Sequence, residues 1–296
     1  MELEPGKLIT GIFTIEKISI SEHLAEIELN DGTTKIIGLL KDNVDLFSKT
    51  YFIGEKVVCK GKVRKRRKNN CLDIIYISKN MLDTQINKKF NSEVYVERFH
   101  ELVSNVEDPD YKSILDNCFN DDVKELYFTY PAAKGNHHNY VHGLLQHSVE
   151  VVDISLFLAK YFKANKDLLI CAGLLHDIGK LKSYDVESGF KVIKTDWEGL
   201  LGHLTISALF VSRIIHSEVN QNKAMLLYHL ILSHHGSLEN GSPVVCKTKE
   251  SYILSKADEL SSALNHIDLL SYNGSWSEED NKTSFKRSWY RGIENV

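Results

Sequence analysis

Six residues scattered between positions 147 and 258 carry side chains able to hold a divalent cation: His147, His176, Asp177, His203, His234 and Asp258. Each lies in an apolar, helix-patterned stretch, where an imidazole or carboxylate is costly unless a partner satisfies it. Any one of these histidines reads most simply as a satisfied core residue. Taken together, a shared metal centre is the more economical account. The adjacent pair His176-Asp177 sharpens it, because two neighbouring side chains at a helix end can turn to one ion. Imidazoles and carboxylates suit Mn²⁺, Fe²⁺, Co²⁺, Zn²⁺ or Mg²⁺, and no thiolate joins the set to favour a structural zinc. One ion would take His147, His176, Asp177 and Asp258, and a second would be held by His203 and His234 with Asp177 bridging. Two ions about 3.5–4 Å apart clamp both oxygens of a phosphodiester displacement and activate a water. Lys180, three residues after Asp177, shares its face if the helix continues, and would then meet a phosphate oxygen. The plainer reading is a solvated lysine at a helix C-terminus. His235 is left open between a second-site ligand, an acid for the leaving oxygen and a phosphate contact.

Helices must position these groups. Tyr140, Leu144, His147, Val151, Ile154 and Leu158 step by four and three, placing His147 on a core-facing stripe. The segment "KDLLICAGLLHDIGKL" is apolar nearly all round, with the His-Asp pair at its far end. "GHLTISALFVSRII" and "AMLLYHLILSHHG" read as two more core helices, the second stopped by Gly236. Helix is expected from Asn139 to about Ile267, an all-α bundle over 136–270. Residues 86–135 read as a helical connector packed on that bundle, with a break at Pro109 and Asp110. An exposed loop over 271–282 and a short basic-aromatic tail (Arg287, Trp289, Tyr290, Arg291) complete the 271–296 segment.

The first 85 residues are strand-rich. "AEIEL" alternates, and "NDG" and "KNN" supply turn chemistry. Five short strands in that length predict a small barrel, with an OB-fold first choice. The fold class is thus α+β and multidomain. Residues 1–90 hold 16 Lys+Arg against 12 Asp+Glu, whereas the rest hold 20 against 28. That split points to a polyanion at the front end. "KVRKRRKNN", with Lys62, Arg64, Lys65, Arg66, Arg67 and Lys68, reads as a loop between two late strands, where OB-folds take oligonucleotides. Phe13, Tyr51, Phe52 and Tyr76 are candidate stacking platforms. Five cysteines without C-x-x-C spacing argue against a disulfide framework and a zinc knuckle. No apolar run reaches the about 18 residues of a membrane span. The opening "MELEPGKLIT" lacks signal-peptide regions, so a cytoplasmic protein is expected.

The pattern H…HD…H…H…D, with Lys180 in "LLHDIGKL", resembles the HD superfamily of metal-dependent phosphohydrolases. The longer strings "YPAAKGNHHNYVHGLLQHSVEVV", "LLGHLTIS" and "LSHHGSLENGSPVVCKTKESYILSKADELSSAL" resemble the YhaM family, bacterial 3′–5′ exoribonucleases with an N-terminal OB-fold and a C-terminal HD domain. The resemblance implies Mn²⁺-favoured hydrolysis of single-stranded RNA, and of single-stranded DNA, from the 3′ end to nucleoside 5′-monophosphates. Asn136, His137, His138 and Tyr140 match a family string and are expected to line the substrate entrance. His142 occupies a spot where glycine is commoner, Cys246 replaces a proline, and Gln146 stands where an acidic residue often precedes the first ligand. Two other functions use the same residues. One is an HD phosphohydrolase of free nucleotides or cyclic dinucleotides, with the barrel serving homo-oligomerisation. The other is a nucleic-acid-binding protein that has kept the fold without turnover.

Overall fold

The computed structural model describes residues 4–21, 24–41, 44, 47–48, 51–66, 69–78, 92–135, 137–187, 191–270, 272–273, 275–278 and 287–290. They form two compact units, one within 1–91 and 186–193 and the other within 92–185 and 194–296. The α+β multidomain class is therefore borne out.

In the first unit, β1 (Leu8–Ser21), β2 (Leu24–Asn30), β3 (Lys35–Leu40), β4 (Lys56–Arg66) and β5 (Asn69–Ser78) close into a barrel. The order is β1-β2-β3-β5-β4, antiparallel except for the β3–β5 pair. This five-stranded closed order is that of an OB-fold. Alternation decides the facing: Ala25, Ile27 and Leu29 are buried, while Glu26 and Glu28 between them are not. Asp31 makes the β2–β3 turn, its Oδ1 accepting from the N–H groups of Thr33 and Thr34.

Two expectations about the barrel need correction. Phe13 and Tyr51 lie in its core, with the Tyr51 hydroxyl donating to the Ile77 carbonyl, so neither can stack on a base. Phe52 is exposed, and the Tyr76 side chain lies outside what is described. The basic run is also mostly strand and not loop, since β4 continues to Arg66 and β5 starts at Asn69. Arg67 and Lys68 fall outside the described residues.

In the second unit, α1 (Ser92–Ser104), α2 (Pro109–Cys118) and α3 (Asp121–Thr129) come first. The break before α2 is made by Asp108, whose side chain accepts from the N–H groups of Asp110 and Tyr111, with Pro109 in the first turn. Sequence alone points to Pro109 and Asp110 for this break, and the structure adds Asp108. There follow α4 (Gly143–Phe162), α5 (Lys166–Leu175), the single turn α6 (Lys180–Ser183), α7 (Asp196–Ser212), α8 (Gln221–Ser233) and α9 (Lys249–Asp268). Leu144, Val151, Leu169, Leu174, Leu227 and Leu254 are among the fully buried side chains of their common core.

The expected run of helix is interrupted by a hairpin of β6 (Tyr184–Glu187) and β7 (Lys191–Lys194). β-Branched Val186, Val192 and Ile193 suit it. The expected loop after α9 contains a two-residue ladder, β8 (Tyr272–Asn273) with β9 (Trp276–Ser277), and Tyr290 of the tail bridges to Trp276. Among the described residues, no helix is long and apolar enough to cross a membrane, and the five cysteines are unpaired.

Candidate metal centre

Every one of the six residues singled out by type and spacing arrives at one place. Helix α4 carries His147 on its buried face. Helix α5, capped by Asn165, ends at His176, and the chain then turns instead of continuing as helix, which aims His176 and Asp177 inward together. In the turn, Gly179 is packed so tightly that a Cβ there would lie 2.5 Å from the Ser207 nitrogen and 2.6 Å from the His203 carbonyl oxygen. The turn bearing the acid is thus pressed onto the helix bearing His203. Helix α7 itself is kinked at Gly202, whose φ of 71° lies in the left-handed region. His234 caps the end of α8, and α9 brings Asp258.

The geometry separates into two halves joined by Asp177. In the first, His147 Nε2 lies 3.3 Å from His176 Nε2 and 3.1 Å from Asp258 Oδ1. Asp177 Oδ2 faces these same two nitrogens at 3.5 and 3.3 Å. In the second, Asp177 Oδ1 faces His203 Nε2 at 3.6 Å and His234 Nε2 at 3.7 Å. His203 Nε2 is in turn 3.2 Å from His235 Nε2. His235 therefore lies beside the second half. The ligand-type atoms of His147, His176 and Asp258, of His176, Asp177 and His234, and of His203, His234 and His235 form three groups, each within 4.8 Å.

Hydrogen bonding on the far side of each ring tells which nitrogen is available. Nδ1 of His176 and of His234 can only donate to the carbonyls of Gly173 (2.8 Å) and Ile231 (2.7 Å). Nδ1 of His235 likewise donates to the Asn240 carbonyl at 2.9 Å. In the neutral ring this leaves Nε2 as a lone pair. Nδ1 of His147 meets the Ser261 hydroxyl at 3.1 Å, and Nδ1 of His203 faces Glu198 at 3.5 Å. Lone pairs converging at 3.2–3.3 Å repel unless something positive lies between them. Asp177 Oδ1 and His234 Nε2 are moreover fully buried with no hydrogen-bond partner, a costly state for both. The donor set fits divalent ions.

Electrostatics agree. Burial opposes charge on His176, but the Asp177 and Asp258 carboxylates outweigh it and raise its pKa, so the first half favours a positive charge. Burial, reinforced by His176 and His235, pushes His234 well down and keeps it neutral. Burial also works against the Asp177 carboxylate, yet Lys180 and His176 hold its pKa well below the usual range.

The family model for the HD domain matches residues 144–263, which include all six positions. The chain carries an HD domain. HD domains are metal-dependent, and the clusters just described could hold the ions. Over 147 residues the chain is 37% identical to the 3′-5′ exoribonuclease YhaM of Bacillus subtilis, a match covering 48% of this chain and 45% of that one. The likeness to the YhaM family read from the motifs is borne out there, and the chain spans less than half of that relative's length. Two solved structures are also similar in part: a replication protein A heterotrimer bound to ssDNA (16% identity, 25% of this chain and 57% of that one, TM-score 0.22) and an asparaginyl-tRNA synthetase from Pyrococcus horikoshii (11%, 42% and 31%, TM-score 0.23). TM-scores this low bear on neither fold nor ligand.

Other expected residues of the HD domain behave differently. Lys180 is buried and its ammonium pairs with Asp177 Oδ2 at 2.5 Å, so it is no solvated helix-end lysine. His138 is fully buried, its Nε2 3.1 Å from Glu150, and Tyr140 is buried between Gln146 and Asn265. Neither can line a substrate entrance; both brace the loop before α4. His137 is half-buried, its ring centroid 6.0 Å from that of His147, and burial lowers its pKa to about 3. It can meet substrate only as a neutral ring. Asn136 lies outside the described residues. His142 adopts φ 73°, a left-handed conformation that glycine takes at no steric cost.

On the barrel, Arg64 and Arg66 are exposed but paired, with Asp73 at 2.7 Å and Glu26 at 2.6 Å. A phosphate would have to compete with these acids. The sequence reading missed Glu198 behind His203 and Ser261 behind His147. Helical spacing was a usable signal for the latter, since Ser261 stands one turn after Asp258.

Proposed function

We propose that this protein is a metal-dependent phosphodiesterase that removes nucleotides from the 3′ end of single-stranded RNA, and of single-stranded DNA, as nucleoside 5′-monophosphates. The observation that carries this reading is a pair of buried atoms without hydrogen-bond partners, Asp177 Oδ1 and His234 Nε2, facing one another at 3.7 Å. The YhaM likeness supplies the substrate class and polarity.

In this reading His147, His176, Asp177 and Asp258 hold one ion, and His203, His234 and His235 hold another with Asp177 between them. Divalent ions there supply Lewis acidity and lower the pKa of water towards about 7. Mn²⁺ is the proposed ion. The chain's own contribution is positional. Asp177 gives one oxygen to each half, and Lys180 fixes that carboxylate's orientation by a charge-assisted bond. Burial keeps His234 and His235 neutral and able to ligate. His137 contacts the incoming strand as a neutral donor or acceptor. We further propose the barrel of residues 1–85 as the RNA-capturing part, 86–135 as a connector, 136–270 as the catalytic domain and 271–296 as a docked tail, in a cytoplasmic protein.

The test is incubation of 3′- and 5′-labelled oligonucleotides with Mn²⁺, reading polarity and products. Nucleoside 5′-monophosphates released from the 3′ end are expected; no turnover with any divalent ion removes the proposal. A second reading, hydrolysis of free nucleotides or cyclic dinucleotides by a homo-oligomer, gains support from the pairing of Arg64 and Arg66 with acids, which leaves the barrel with less charge to offer a strand. Competition in the intact protein separates the two, since RNA must outcompete nucleotides for the first to stand.

A further inference from the structure

His147 is gripped at both nitrogens by one helix. Asp258 of α9 faces its Nε2 at 3.1 Å, and Ser261, one turn further along α9, meets its Nδ1 at 3.1 Å. The serine has a single proton, and that proton is committed elsewhere. Ser261 Oγ donates to Glu150 Oε2 at 2.8 Å, and a carboxylate only accepts. The ring must therefore donate from Nδ1 to the serine oxygen, which leaves Nε2 as the lone pair towards Asp177 and Asp258.

Glu150 stands one turn after His147 on α4 and is held from every side. His138 Nε2 meets the same oxygen at 3.1 Å, and Gln146 Nε2 donates to the other at 2.7 Å, with the Tyr95 hydroxyl at 3.5 Å. His138 in turn sits at φ 47°, its backbone N–H donating to Asn265 Oδ1 of α9 at 2.7 Å. Held at both oxygens, the Glu150 carboxylate presents one geometry to the Ser261 hydroxyl.

We propose that Glu150, acting through the Ser261 hydroxyl, is a positioning residue that fixes His147 as an Nε2 metal ligand. The inference rests on the reading of the cluster as a metal centre. Outer partners of this kind orient a ligand ring, and their loss weakens metal affinity about 10- to 100-fold. Helix packing alone predicts something else, a lower melting temperature with unchanged ion affinity.

Mn²⁺ affinity of the full chain, measured by equilibrium dialysis for wild type, E150Q, S261A and the double variant, tests the proposal. Each single change is expected to weaken one class of bound ion about 10- to 100-fold. The double variant should be no weaker than S261A. Wild-type affinity in both single variants, or losses that multiply in the double, overturns the relay. Wild type that binds no divalent ion overturns the metal reading itself. Should a variant fail to fold, imidazole ¹⁵N spectra of the metal-free wild type, with His147 assigned by comparison with H147Q, still decide. Nδ1–H is expected at His147, and Nε2–H overturns the proposal.

Discussion

The two units of this protein handle charge in opposite ways. In the barrel, Arg64, Arg66 and Lys35 lie at the surface, each matched by an acid from another strand: Asp73 of β5, Glu26 of β2 and Glu16 of β1. Such exposed pairs tie strands together weakly and are screened by salt. At the centre of the HD domain His147, His176, Asp177 and His234 are buried, histidine faces histidine, and Asp177 Oδ1 and His234 Nε2 have no hydrogen-bond partner. Lone pairs that converge in the interior call for a positive charge between them. The contrast separates charge that serves solubility and pairing from charge that serves chemistry, and it is drawn by partners and burial, not by residue type.

The largest effect that would break this contrast lies at Asp177, the one side chain shared by both halves of the centre. Asp177→Ala is expected to reduce oligonucleotide hydrolysis to background while RNA binding, by a filter or gel assay, is largely kept. Retained turnover in the folded variant would remove the centre's catalytic standing. Chelation should likewise stop turnover but leave the helical unit folded. Losing an ion present at about a hundred times its dissociation constant forfeits about 2.7 kcal/mol, roughly 5–10 °C in melting temperature. Complete unfolding on chelation would mean the cluster is a structural clip. Gly179→Ala forces a methyl against backbone atoms at 2.5 and 2.6 Å and should destabilise by about 1–3 kcal/mol in chemical denaturation. Smallest is the barrel: Arg64→Ala should change stability by less than about 1 kcal/mol. If Arg64 meets a phosphate, the same variant lowers the salt slope of RNA binding by about 0.7, and an unchanged slope removes Arg64 from the interface.

The candidate cluster was legible because burying six such side chains in apolar helices has few explanations, and the 3.6 period put His147 on the inward stripe. Barrel strands were legible for the same reason, as "AEIEL" alternates with period two. What could not be read was anything set by contacts distant in sequence. His138 and Tyr140 looked like substrate contacts because they neighbour the first ligand, yet Glu150, Gln146 and Asn265 draw them into the interior. Arg64 and Arg66 looked available because their acids, Asp73 and Glu26, come from other strands, β5 and β2. The hairpin of β6 and β7 was hidden inside an apparently continuous helical region, its strands being only four residues each.

The salt link between Lys180 and Asp177 has a consequence for assembly. With an ammonium already beside the shared carboxylate, the newly made chain carries its own counter-ion and need not await a cation to close around that acid. Folding then need not await loading: in the proposed reading a chain short of metal still closes around that acid, at lower stability.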